Sequence, residues 1–182
     1  MNLKKATIFL LTLSCIFLSS CSNGEEDNYS NEKAQLIVST EGTVYQNIKT
    51  DNEGEFALHM IISASDITGV ETSALNVDNI TVNNAEWRFY SPDFTYGDPI
   101  YTSLALDGNT YCNIVWAVDE HRKTIPLDAK HTLCEFVEEM TRIILQKGSV
   151  SLAIYGEAPN PRQRNTTFNI EFNNELEFKV KN

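Results

Sequence analysis

The sequence predicts a mainly β protein, an antiparallel β-sandwich carrying one amphipathic helix at about 131–147. Three observations predict it. Short runs that alternate apolar and polar residues recur from residue 33 to the end, as half-buried strands do. Turn chemistry separates them, most clearly at Asp51-Asn52-Glu53-Gly54 and Asp107-Gly108-Asn109, where glycine can take a positive φ. A single segment breaks the period of two for spacings of three and four, which is helical.

In order, Lys33–Thr40 is a short strand around Leu36, Ile37 and Val38, and Thr43–Thr50 is a weaker second one. Glu55–Ser63 places Phe56, Leu58, Met60 and Ile62 on one face, and Ser65–Asn76 is a loop around Gly69. Val77–Val82 and Ala85–Tyr90 are strands of opposite parity, so Asn83-Asn84 should be a hairpin turn or a β-bulge. Ile100–Leu106 and Thr110–Val118 flank the Asp-Gly pair as a hairpin. In the helix, Leu133, Phe136, Val137, Met140, Ile143 and Ile144 form one stripe, and Gly148 is placed as its carboxy-terminal cap. Ser149–Tyr155 and Thr167–Val180 are strands again, with Asn173-Asn174 expected to interrupt the last as a bulge or bend.

The first twenty residues have a different character. Lys4 and Lys5 precede an apolar run from Ala6 to Leu18, about 20 Å as a helix and short of the ~30 Å hydrocarbon core. That suits a signal peptide over residues 1–20. Leu18-Ser19-Ser20-Cys21 resembles the lipobox of bacterial lipoprotein precursors, which implies cleavage before Cys21 and acylation, palmitate included, of that cysteine. An ordinary secretory signal is the rival reading. Residues 21–32 form an acidic tether whose Ser22-Asn23-Gly24-Glu25-Glu26-Asp27 run resembles the acidic export signal of Bacteroidetes surface lipoproteins. The resemblance implies the outer membrane and its cell-surface side, with the periplasmic leaflet as alternative. Residues 33–182 are then one domain. Its strand–helix–strand order loosely resembles small immunoglobulin-like lipoproteins of the same group, which implies an immunoglobulin-like sandwich.

The leader holds two of the 14 basic residues and none of the 25 acidic ones, leaving the mature chain near −13. Such a charge favours solubility and argues against nucleic acid as a partner. With Cys15 in the leader and Cys21 lipidated, Cys112 and Cys134 remain. Either they form a disulfide, permitted outside the cytoplasm, or they are two buried free thiols, since each lies on an apolar face.

No phosphate loop, nucleophile turn, His-Glu-x-x-His helix or Cys-x-x-Cys pair occurs, so no cofactor is expected. His131, Cys134, Glu135 and Glu138 could be drawn as metal ligands, but an amphipathic helix explains them more simply. Asp51, Glu53 and Glu55 lack the later glutamate of a calcium loop. The candidate ligand-binding residues are Tyr90, Asp93, Phe94, Tyr96, Asp98 and Tyr101, around a loop punctuated by Pro92, Gly97 and Pro99. Aromatics beside carboxylates in a loop suit stacking on sugars or anchoring a protein; alternatively, the rings fold back over the core. Arg162 and Arg164 form a second, weaker patch. The expected function is a non-enzymatic, lipid-anchored binding module. Its alternatives are a glycan-binding protein and an immunity- or inhibitor-type lipoprotein for a basic protein; a hydrolase with dispersed carboxylates is a remoter one.

Overall fold

The computed structural model describes residues 29–43, 45–46, 54–72, 77–158 and 167–181. The leader, Cys21, the tether up to residue 28, the Asp51–Glu53 turn and the Arg162/Arg164 loop lie outside the described residues. Among the described residues, ten strands occur: β1 Tyr29–Thr43, β2 Tyr45–Gln46, β3 Gly54–Ser63, β4 Ile67–Thr68, β5 Val77–Tyr90, β6 Pro99–Leu106, β7 Asn109–Val118, β8 Thr124–Pro126, β9 Ser149–Ala158 and β10 Thr167–Lys181. A 3₁₀ turn, Ala64–Asp66, follows β3, and the helix α1 spans Lys130–Lys147.

The strands form two antiparallel sheets, ordered β4-β1-β10-β5 and β2-β3-β9-β6-β7-β8. The antiparallel sandwich with one helix is therefore as expected. Its pairing is nested: β1 with β10, β3 with β9, β5 with the β8 corner through a Tyr90–Lys123 bridge, and β6 with β7. Within the sandwich class this is the winding of a jelly roll, where the expectation had the immunoglobulin-like order.

Alternation decides which side chains fill the space between the sheets. Along β10, Phe168, Ile170, Phe172, Leu176 and Phe178 are buried while Glu171 and Glu175 are exposed. Trp87, Phe89 and Trp116 meet them from β5 and β7, with Phe89 edge-on to Trp116 at 5.1 Å. α1 lies along β5 and the neighbouring ends of β7 and β9. It buries Leu133, Phe136, Val137, Met140, Thr141 and Ile144, with Phe136 edge-on to Trp87 at 5.5 Å. Ile143 is only half-buried, and Thr141 takes a place in the stripe by donating its hydroxyl to the Val137 carbonyl, 2.7 Å. Gly148, at φ 85°, caps the helix as expected.

Two local expectations change, and a third is decided between its two alternatives. Tyr29–Glu32, placed in the tether by composition, belong to β1, whose backbone pairs with β10 from Tyr29 opposite Lys181 onward; the domain begins at least four residues early. Polar side chains do not prevent a strand whose backbone is paired on one side and whose side chains face water. At Asn83-Asn84 the bulge replaces the hairpin turn: β5 is continuous, and opposite Glu175 and Leu176 its partners step from Asn84 to Val82. Asn173-Asn174 do not interrupt β10. Asn174 occupies a core position at 0% exposure, where its Oδ1 accepts the Trp87 indole N–H at 2.9 Å and its Nδ2 donates to the Leu36 carbonyl at 3.0 Å.

The Asp107-Gly108 turn between β6 and β7 has φ 48° and 82°, the pattern of a two-residue hairpin turn with both central residues left-handed. Asp107 also clasps the helix end. Its carboxylate accepts from Lys147 Nζ at 2.7 Å and from the Ser151 N–H at 3.0 Å. The Lys147 bond and then the Ser151 N–H hold this carboxyl below its ordinary value. A carboxyl depressed by folding stabilises fully above its unfolded pKa, near pH 4, and loses that contribution as pH falls through the folded value. Asp107→Asn should therefore lower the thermal midpoint at pH 7 and leave it almost unchanged at a pH well below the folded value. Equal losses at both pH values would refute the clasp.

Candidate binding surface

The aromatic loop between β5 and β6 does not gather its rings. Phe94 is 2% exposed and packs 6.2 Å from Phe168, covering the open end of the core. Ser91 is buried and donates to the Thr167 carbonyl at 2.8 Å. Gly97, at φ 83°, and Asp98 exchange backbone hydrogen bonds with Val118 that fix the loop to β7. Asp93 and Tyr96 are exposed, Tyr96 strongly so, and Asp98 is half-buried. Tyr90 belongs to the outer face of the four-stranded sheet, while Tyr101 belongs to the outer face of the six-stranded one. Of the expected cluster, Tyr101 lines a groove.

That groove lies on the outer face of the six-stranded sheet and encloses about 500 Å³. Strand register explains its walls. One row across β3, β9, β6 and β7 reads Glu55, Glu157, Tyr101, Val115, and the next reads Ala57, Tyr155, Ser103, Asn113. All eight have outward parity, because Phe56, Thr102, Ile114 and Gly156 between them face inward and are buried. Tyr101 and Tyr155 are therefore diagonal neighbours on adjacent strands, with Glu157 and Ser103 completing the square. Such neighbours lie about 7–8 Å apart and can act on one ligand. Ser103 donates to Asn113 Oδ1, and His59 meets the Tyr155 ring edge-on at 5.4 Å. Small Ala57 leaves room beside Tyr155.

Sequence reasoning missed Glu55, Tyr155 and Glu157 as groove residues. The inward set Val150, Leu152 and Ile154 already implied that Tyr155 and Glu157 face out. It could not say that β9 lies between β3 and β6, which brings these side chains beside Tyr101.

Cys112 and Cys134 are separate free thiols, so the candidate disulfide is not formed. Cys112 stands opposite Leu104 in the six-stranded sheet, whereas the Cys134 thiol meets the Ala85 backbone in the other sheet. Burial pushes the Cys112 thiol up to about 11 and raises Cys134 too, which leaves both unreactive at neutral pH. Among the described residues, no group of three or more His, Cys, Asp and Glu is arranged to hold a metal. On α1, Glu135 lies 3.3 Å from His131, and Glu138 and Glu139 pair with Arg142.

No protein-family model matches the chain, and no curated protein matches its sequence. Among solved structures it is similar to the decameric BFDV capsid protein, at 11% identity and a TM-score of 0.41 over 83% of this chain and 99% of that one. It is also similar to a structure of Desmodium yellow mottle tymovirus, at 10% identity and 0.28, covering 81% and 89%. A third is the Gx strain of infectious bursal disease virus, at 11% and 0.27, covering 85% and 32%. Likeness at these scores carries no argument about function.

Proposed function

We propose that this protein is a lipid-anchored binding module of the outer membrane, displayed at the cell surface, with its ligand held in the Tyr101–Tyr155 groove. The groove carries the binding half of the reading: two exposed tyrosines and polar side chains converge on one open face. Leu18-Ser19-Ser20-Cys21 carries the anchoring half. Geometry makes the two compatible. From Cys21 to the first residue of β1 is eight residues, a reach below about 30 Å even when extended. An anchor at Cys21 keeps the end bearing Tyr29 nearest the membrane. The groove residues Glu55, Tyr101 and Glu157 sit towards the other end, beside the starts of β3 and β6 and the end of β9.

Each half has its own test. Cys21→Ser should move the protein from the membrane to the soluble fraction and abolish palmitate labelling; persistence of both would overturn the anchor. The Tyr101→Ala, Tyr155→Ala double variant should lose retention on a polysaccharide column or co-purification of a basic protein partner, whichever the native protein shows. Tyr96→Ala should keep it. Because both groove rings are half-exposed, the double variant should remain folded, within about 1 kcal/mol of the native protein. Loss in Tyr96→Ala with retention in the double variant would return the ligand to the loop.

A further inference from the structure

We propose that the groove recognises the cationic side chain, lysine or arginine, of a basic polypeptide. This deepens the groove reading and rests on it. Glu157 occupies the corner between two rings: Tyr155 precedes it by two on β9, and Tyr101 faces it directly across β6. A carboxylate with two tyrosines beside it is the chemistry that binds an ammonium or guanidinium, through charge and through the ring quadrupoles. Val115 and Ala57 lie at opposite ends of the two rows, as apolar surface for an aliphatic stem. The described residues lining the groove include two carboxylates and neither lysine nor arginine. Glu55 stands directly opposite Glu157 in the β3–β9 register, so a second acidic position adjoins the corner. The surplus negative charge of the chain, −11 over its full length, would draw a basic partner from a distance. A neutral sugar could stack on either tyrosine, but it would not explain the carboxylate in the corner.

The test uses the mature chain with Cys21→Ser and three probes: a tetra-arginine peptide, the isosteric tetra-citrulline peptide, and a neutral soluble glucan. Titration calorimetry should show saturable binding of the arginine peptide that weakens with salt, and none of the citrulline peptide. Glu157→Gln and Tyr101→Ala should each weaken the arginine peptide about tenfold, while Glu171→Gln, on the opposite sheet, should not. Equal weakening by Glu157→Gln and Glu171→Gln would overturn the proposal, because attraction would then be diffuse. Binding of the glucan that Tyr101→Ala abolishes and Glu157→Gln spares would overturn the cationic ligand while leaving the groove intact. Arginine-peptide binding unchanged in both Tyr101→Ala and Tyr155→Ala would overturn the groove itself.

Discussion

Asn174→Leu is expected to destabilise the protein by about 2–4 kcal/mol in urea unfolding, although it places an apolar residue of similar size in an apolar core. The loss comes from the partners left behind. The Trp87 indole N–H donates to Asn174, and the Leu36 carbonyl accepts from it, in a position fully closed to water. Each buried group that loses its partner costs about 1–3 kcal/mol, and leucine returns only part of that through apolar burial. The three residues belong to β10, β5 and β1, so one side chain ties three strands in one register. A one-residue slip would remove both bonds and turn every core residue of β10 towards solvent. Trp87→Phe removes the indole donor from the other side. The double variant should therefore be less destabilised than the sum of the two singles, by about 1 kcal/mol or more. A neutral or stabilising Asn174→Leu, or strict additivity with Trp87→Phe, would show that the network contributes nothing net.

That asparagine shows where reading the sequence stops. Strand periodicity, the helix with its glycine cap and the Asp-Gly hairpin are local patterns, and the structure reproduces them. At Asn83-Asn84 the parity change correctly signalled an irregularity, and only the pairing with β10 shows it to be a bulge. At Asn173-Asn174 the same residue type suggested a break where the strand runs on, because composition does not reveal that Trp87 waits across the sheet with an indole to satisfy. Phe94 and Tyr96 are two residues apart in one loop, yet one closes the core and the other faces water. The groove was the least legible feature. Its rows join β3, β9, β6 and β7, segments up to about a hundred residues apart, and a jelly-roll winding makes neighbours of strands that no local signal relates.

The same non-local pairing makes Gly156→Ala the other substitution with a large expected effect, about 3 kcal/mol or more. Gly156 faces inward opposite Phe56 in the β3–β9 register. A Cβ built there would lie 2.0, 2.3 and 2.6 Å from three atoms of the Phe56 ring, so the ring must leave rather than adjust. It has little room to do so, being 4% exposed, edge-on to Phe168 at 4.9 Å and 6.0 Å from Phe89. Overfilling a packed core costs about 1–3 kcal/mol, and more where the displaced group is large. Phe56→Ala alone should cost about 3–5 kcal/mol through the cavity it opens. The pair should be far from additive, since once the ring is gone the alanine methyl occupies part of the space it left. Additivity in chemical denaturation would refute the contact. Function should follow packing here, because Gly156 lies between Tyr155 and Glu157 on β9. Any backbone shift that relieves Phe56 displaces the ring and the carboxylate on the other side of the sheet. Gly156→Ala should thus weaken ligand capture in the groove under conditions where the protein is still folded, and adding Phe56→Leu, which shortens the ring to a smaller side chain, should restore part of both stability and binding.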